Sequence, residues 1–172
     1  MQRSRLMDYN CFMENALDLA QKALSDGEFP VGCVMVYRDT IIATGSRTGT
    51  SGTSTNEIDH AEIIALRRLA DFKGVLNKKE ITLFCTLEPC LMCYCALVLS
   101  NIGKIVYAYE DVMGGCTRSD LTKLAPLYRN SKISIIPNIL RAKSLNLFRQ
   151  YFANPNNAYW ARSQLADYTL IQ

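Results

Sequence analysis

His60 is the only histidine in this chain of 172 residues, and Glu62 stands two positions after it. A lone histidine more often serves a core or a surface than a reaction, so its partners decide its meaning. They begin 27 residues after Glu62, where PCLMC at 89–93 supplies Cys90 and Cys93. Cysteines three apart share one face of a helix, so both thiols can reach one metal ion. Pro89 suits the first turn of such a helix, where its missing N–H costs nothing. A cysteine in that turn meets the positive end of the helix dipole, which favours the thiolate that zinc requires. One imidazole and two thiolates leave the fourth tetrahedral position open for water, the feature that separates catalytic zinc from closed structural zinc. Alone, CxxC reads as a pair of core cysteines or a redox motif as readily as a metal site. Together with His60 and Glu62 it predicts one Zn2+ per chain, held by His60, Cys90 and Cys93.

A carboxylate beside such a metal can move protons between water and a substrate, which makes Glu62 the candidate catalytic residue. A structural reading competes with this one. Asp59 followed three residues later by Glu62 has the form of a capping box, in which the glutamate returns a hydrogen bond to the helix start. One residue could serve both ends.

These side chains need elements to carry them. Leu6, Met13, Ala16, Leu17, Ala20 and Leu24 recur at three- and four-residue steps, an amphipathic helix stopped at Gly27. VGCVMVYRDTIIATG has two β-rich runs around a polar turn at Arg38 and Asp39, a hairpin pattern. TGTSGTSTNEID at 48–59 reads as a polar surface loop. Helices are expected over 60–70 and 90–100, with a strand between them at 81–87. Further strands at 104–109 and 132–136 flank a short helix near 119–127, and a last helix covers 139–152. This alternation predicts an α/β layered domain around a mixed sheet. A helical crossover between the last two strands predicts that they run parallel.

Composition narrows the class. At 49% apolar and 20% charged the chain is an ordinary globular protein, and its length suits one domain. No apolar run reaches transmembrane or signal-peptide length, so no membrane partner is expected. Seven cysteines without an export signal argue against a disulfide framework and for a cytoplasmic setting. The default role for Cys11, Cys33, Cys85, Cys95 and Cys116 is core packing, with Cys116 worth watching because its glycine-bearing loop should lie near the site. The net charge of +3 permits an anionic partner without demanding one. Residues 1–100 carry 10 basic and 12 acidic groups, and 101–172 carry 9 and 4. The basic end reads either as an anion-binding surface or as a solvated helix face bearing Lys123, Arg129, Lys132, Arg141, Lys143 and Arg149.

HAEIIALRRL, TLFCTLEPCLMC and EFPVGCVMVY resemble the cytidine-deaminase-like superfamily, most of all its branch of tRNA adenosine deaminases and guanine deaminases. The similarity runs from about residue 7 to 152. It implies a three-layer α/β/α fold around a central five-stranded mixed sheet. Two zinc-bearing helices would point their N-termini at the metal, and Glu62 would carry protons to a ring nitrogen and a departing amine. Residues 1–152 would form the deaminase domain and 153–172 a helical or arm-like extension of it.

The resemblance also implies a substrate-binding set of Arg47, Ser46, Ala61, Glu88, Pro89 and Asp111. The family usually has an asparagine after the second strand; here ATGSRTG puts Ser46 or Arg47 in its place, where Arg47 would bind an anionic group or face water. The expected substrate is therefore a free nucleobase or nucleoside, with adenosine in tRNA as the alternative and a silent zinc-binding module as a third reading. A homodimer is expected from the family and from the apolar tail NAYWARSQLADYTLIQ, read as a helix plus a terminal strand or arm.

Overall fold

The computed structural model describes residues 7–52 and 55–172; Leu6, expected in the first helix, and positions 53 and 54 of the expected polar loop lie outside that range. Helix α1, Tyr9–Ser25, starts at Asp8, whose carboxylate accepts the backbone N–H of Cys11 and so satisfies one orphan donor of the first turn. It buries Met13, Ala16, Leu17 and Ala20, the stripe its periodicity predicts.

Strands β1, Gly32–Tyr37, and β2, Thr40–Ser46, form the hairpin. Its two turn residues, Arg38 and Asp39, both have left-handed backbones, the form that matches strand twist in a two-residue loop. Helix α2, Ala61–Ala70, follows, and then β3, Thr82–Leu87, α3, Leu91–Leu99, and β4, Lys104–Tyr109. A helical turn at Leu121–Lys123 and a short α4, Pro126–Arg129, lead to β5, Ser134–Ile136. Helices α5, Arg141–Ala153, and α6, Gln164–Ile171, close the chain.

The sheet runs β2-β1-β3-β4-β5, with β1 antiparallel to both neighbours and β3, β4 and β5 parallel. The parallel last pair is the arrangement that the helical crossover predicted. Strand β3 is buried throughout, as a central strand covered on both faces must be. One face packs on α1 and α5, the other on α2 and α3. Val34, Phe84 and Val106 fill the α1 side, and Met35, Leu83 and Ile105 the other, so alternate residues of each strand serve the two layers.

Two expectations need correction. The tail forms no terminal strand: Ser163 caps α6 by accepting the N–H of Ala166, and Leu165, Ala166 and Thr169 are buried within the same chain. Leu165 and Ala166 thus cover their own domain, while Trp160, Leu170 and Ile171 of the same tail stay exposed. The six basic residues of the second half do not share a helix face either. They are spread over the turn at 121–123, α4, the approach to β5, and α5, and Lys123, Arg141 and Lys143 pair with Asp120, Glu110 and Glu14. Among the described residues no helix is long and apolar enough to cross a membrane.

Candidate active site

The N-termini of α2 and α3 meet beside the end of β3. Gly45 sets one side of this meeting: a Cβ there would stand 2.0 Å from the carbonyl oxygen of Ala61, so only glycine lets β2 pass so close to the start of α2. His60 and Cys90 occupy the N-cap positions of the two helices, and neither spends its side chain on a capping bond. Both are left for another task. Cys93 lies in the first turn of α3 and is fully buried.

His60 Nδ1 lies 3.6 Å from Cys90 Sγ and 3.4 Å from Cys93 Sγ. Ligands on a tetrahedral zinc with Zn–N and Zn–S bonds of about 2.0 and 2.3 Å stand about 3.6 Å apart. The three donor atoms also lie within 4.8 Å of one another. Nitrogen and two sulfurs at this spacing fit one zinc ion. Electrostatics agree: the hydrogen bond from Cys93 holds Cys90 down at about 4, against the cost of burial, while Cys93, which keeps the proton of the pair, is pushed up. The bond to Cys90 raises His60.

Glu62 is buried, and burial raises its carboxyl above the usual range. The capping box does not form. The N-cap is His60, not Asp59, so Glu62 falls one position short of the reciprocal bond. Asp59 instead accepts from Asn56 Nδ2 at 2.7 Å and pairs with Arg67. Pro89 is similarly displaced, standing just before the N-cap of α3 and not in its first turn.

A cavity of about 130 Å³ opens at this cluster, lined among others by His60, Ala61, Glu62, Glu88, Cys90 and Asp111. Ser46 and Pro89 do not line it. Arg47 does, but it neither faces water nor offers a free guanidinium. It is 3% exposed, its Nη1 donates to the carbonyls of Thr48 and Asp59, and its Nη2 donates to Tyr159 Oη at 3.3 Å. Glu57 lies 3.6 Å away.

Glu88 turns its carboxylate onto the loop after β4, accepting from the backbone N–H of Asp111 and Thr117 and from the Thr117 hydroxyl. Asp111 accepts from the N–H groups of Met113 and Gly114, and burial raises its carboxyl. Gly115 sits between these acids: a Cβ there would be 2.5 Å from both the Asp111 carbonyl and Glu88 Oε2. Cys116 does not line the cavity; its thiol bonds Ser119.

Sequence reasoning missed a whole wall. Phe29, Glu57, Tyr159, Trp160 and Leu165 line the cavity, three of them from the tail. The density of aromatic residues around Tyr159 was the available signal, and it points equally well to a core or an interface.

The sequence profile of the cytidine and deoxycytidylate deaminase zinc-binding region matches residues 7–109, a span of more than half the chain that includes His60, Cys90 and Cys93. The tRNA-specific adenosine deaminase of Bacillus subtilis is 30% identical over 141 residues, covering 82% of this chain and 86% of its own. A solved structure from a study of A-to-I editing by tRNA:A34 deaminases is 25% identical with a TM-score of 0.60, covering 80% of this chain and 98% of the other. The guanine deaminase of Nitrosomonas europaea is 21% identical with a TM-score of 0.65, covering 87% of each chain, and shares the fold. Motif, donor geometry and profile converge, and the chain belongs to the cytidine and deoxycytidylate deaminase zinc-binding family.

Proposed function

We propose that the protein hydrolytically deaminates a nucleobase presented as the free base or a nucleoside, releasing ammonia. One observation carries this reading: the cavity at the zinc ligands is small and walled by the chain's own tail through Tyr159, Trp160 and Leu165. At about 130 Å³ it falls below the range of about 300–1,000 Å³ usual for larger ligands. Its ionisable lining includes Glu57, Glu62, Glu88 and Asp111, which disfavours phosphates close to the reacting base. None of Lys123, Arg129, Lys132, Arg141, Lys143 or Arg149 lines it.

In this reading His60, Cys90 and Cys93 would hold zinc, which would supply a Lewis acid that lowers the pKa of water. Glu62 takes a proton from the attacking water and gives it to the ring nitrogen beside the amino-bearing carbon. It then moves the remaining hydroxyl proton to the amino group. A C–O bond forms, the C–N bond breaks, and ammonia leaves. Its burial keeps bulk water from competing for those protons.

A second reading, deamination of adenosine in tRNA, is favoured by the names of the relatives and by the ability of a pocket this size to take an unstacked base. A silent zinc-binding module is disfavoured by Glu62, which such a site has no use for. An assay of ammonia release from free bases, nucleosides, nucleotides and tRNA tests all three. Turnover confined to small substrates supports the proposal. Efficient turnover of tRNA with a steep salt dependence replaces it with the RNA reading, and no turnover of any substrate supports the silent module.

Residues 153–172 belong with this domain as its extension, since α6 packs on α5 and Leu165 reaches the cavity. A cytoplasmic setting accords with seven free cysteines. We also propose a homodimer; Leu91 and Leu99 on α3, with Leu127, leave apolar surface exposed, and light scattering at micromolar concentration tests it.

A further inference from the structure

The tail segment 154–163 crosses the cavity as a strap. Its backbone hydrogen bonds run within the segment, back to Tyr151 at the end of α5, or on into α6, where the Asp167 N–H donates to the Ser163 carbonyl. Among the described residues, only the Tyr159 hydroxyl bonds it to the body of the protein before α5, accepting from Arg47 Nη2 at 3.3 Å and donating to Glu57 at 2.9 Å. The Tyr159 ring also rests edge-on against Phe29, with centroids 5.3 Å apart, and under the Arg47 guanidinium at 5.5 Å. On either side the strap borders open grooves, one lined by Met113, Trp160 and Arg162, the other by Thr50, Asn154 and Tyr159. Trp160, next in the chain, has a left-handed backbone that a bulky residue rarely adopts, so the strap keeps this shape only while its neighbours hold it.

Arg47 is the other half of the arrangement. Its Nη1 is taken by the Thr48 and Asp59 carbonyls and its Nη2 by Tyr159, which leaves it to hold protein, not substrate. Thr48 and Asp59 bracket the loop before His60, so one guanidinium fixes the approach to the metal ligand and the strap above it.

We propose that Tyr159, clamped between Arg47 and Glu57, is a specificity-determining latch: by holding the strap over the cavity it restricts the enzyme to free bases and excludes bases that carry ribose and phosphate. The idea rests on the small-molecule reading above and narrows it from free bases or nucleosides to free bases. Tyr159 acts through the strap and is a positioning residue.

The test compares wild type with Tyr159→Phe, which keeps the ring and loses the hydroxyl, and with Glu57→Gln. Ammonia release is measured from adenine, guanine and cytosine, from their ribonucleosides, and from an RNA stem-loop. The expected result is a rise of about ten-fold or more in the ratio of kcat/KM for nucleoside or RNA over that for the free base, the size expected when a hydrogen bond to a charged group is lost. Limited proteolysis within 154–163 should speed up in the same variants, and adding a free base should restore protection more in wild type than in Tyr159→Phe. A ratio unchanged within about two-fold in both zinc-loaded variants overturns the latch. If wild type already prefers RNA, the functional reading fails by itself. The restriction to free bases falls with it, and proteolysis then judges only whether Tyr159 holds the strap, with faster cleavage in Tyr159→Phe showing that it does and unchanged cleavage overturning that too.

Discussion

The cavity has two unlike walls. One is the metal wall, where His60, Cys90 and Cys93 sit at the first turns of two helices packed on a buried sheet. The other is the strap wall, where a tail segment leans on Arg47 and Glu57 through one hydroxyl. The first joins two short motifs 30 and 33 residues apart at the starts of regular helices, the second is built from contacts across 112 and 102 residues on irregular chain. Chemistry that cannot vary belongs on the stiff wall. Choice among substrates can be left to the softer one, because irregular segments tolerate change without disturbing the core.

The largest effect should come from the metal wall. His60→Ala, Cys90→Ala and Cys93→Ala should each lose most of the zinc by metal analysis and all measurable turnover, since no second histidine exists to compensate. A Cys90→Ser variant with full zinc would break the assignment. Glu62→Gln should come next, keeping zinc while turnover falls by at least about 10²–10⁴-fold, because the same carboxylate serves more than one proton transfer. Normal turnover with a stability loss of about 1 kcal/mol would return Glu62 to a capping role that the geometry does not show.

Gly115→Ala sharpens the comparison where the walls join. Its methyl would press on the Asp111 carbonyl and the Glu88 carboxylate, so a loss of about 1–3 kcal/mol in denaturant unfolding is expected, with weaker turnover. A neutral result would mean that the loop after β4 moves freely beside the site.

The smallest effect concerns acid. Glu110 is opposed by burial, yet its bonds to Arg141 and Tyr168 hold its carboxyl down at about 2 from 4.5. Glu28, likewise opposed by burial, is held at about 2 by the hydroxyls and N–H groups around Thr50 and Ser51. Both ties lie on the strap side, one anchoring α6 and the other the loop after β2. A carboxyl lowered on folding stabilises fully above its unfolded value near 4.5, and that contribution fades as pH falls toward 2. After allowance for solvent screening, each should contribute about 1–2 kcal/mol at neutral pH. Melting curves between pH 6 and pH 3 should therefore converge for wild type and Glu110→Gln at the acid end, a comparison in which metal loss cancels. Curves that keep a constant separation would remove Glu110 as an acid-sensitive tie.

The sequence by itself determined the metal wall. His60 with Glu62, and Cys90 with Cys93, carry their meaning in intervals of two and three residues, although only the packing of the two helix starts brings His60 to the cysteines across 30 and 33 residues. The alternation of apolar runs likewise determined the sheet, including its parallel final pair. What fails at this scale fails by one or two residues: the capping-box pattern puts Asp59 one position, and the proline rule puts Pro89 two positions, too far into their helices, because the N-cap belongs to whichever residue the packed backbone selects, and here those are His60 and Cys90. The strap wall was decided only by the tertiary structure. Arg47 reads as a substrate contact until the tail arrives to occupy its guanidinium, and the tail reads as a terminal strand or arm until α6 forms and buries Leu165 and Ala166. No local spacing encodes a contact across 112 residues, since the partner is chosen by how the whole core packs.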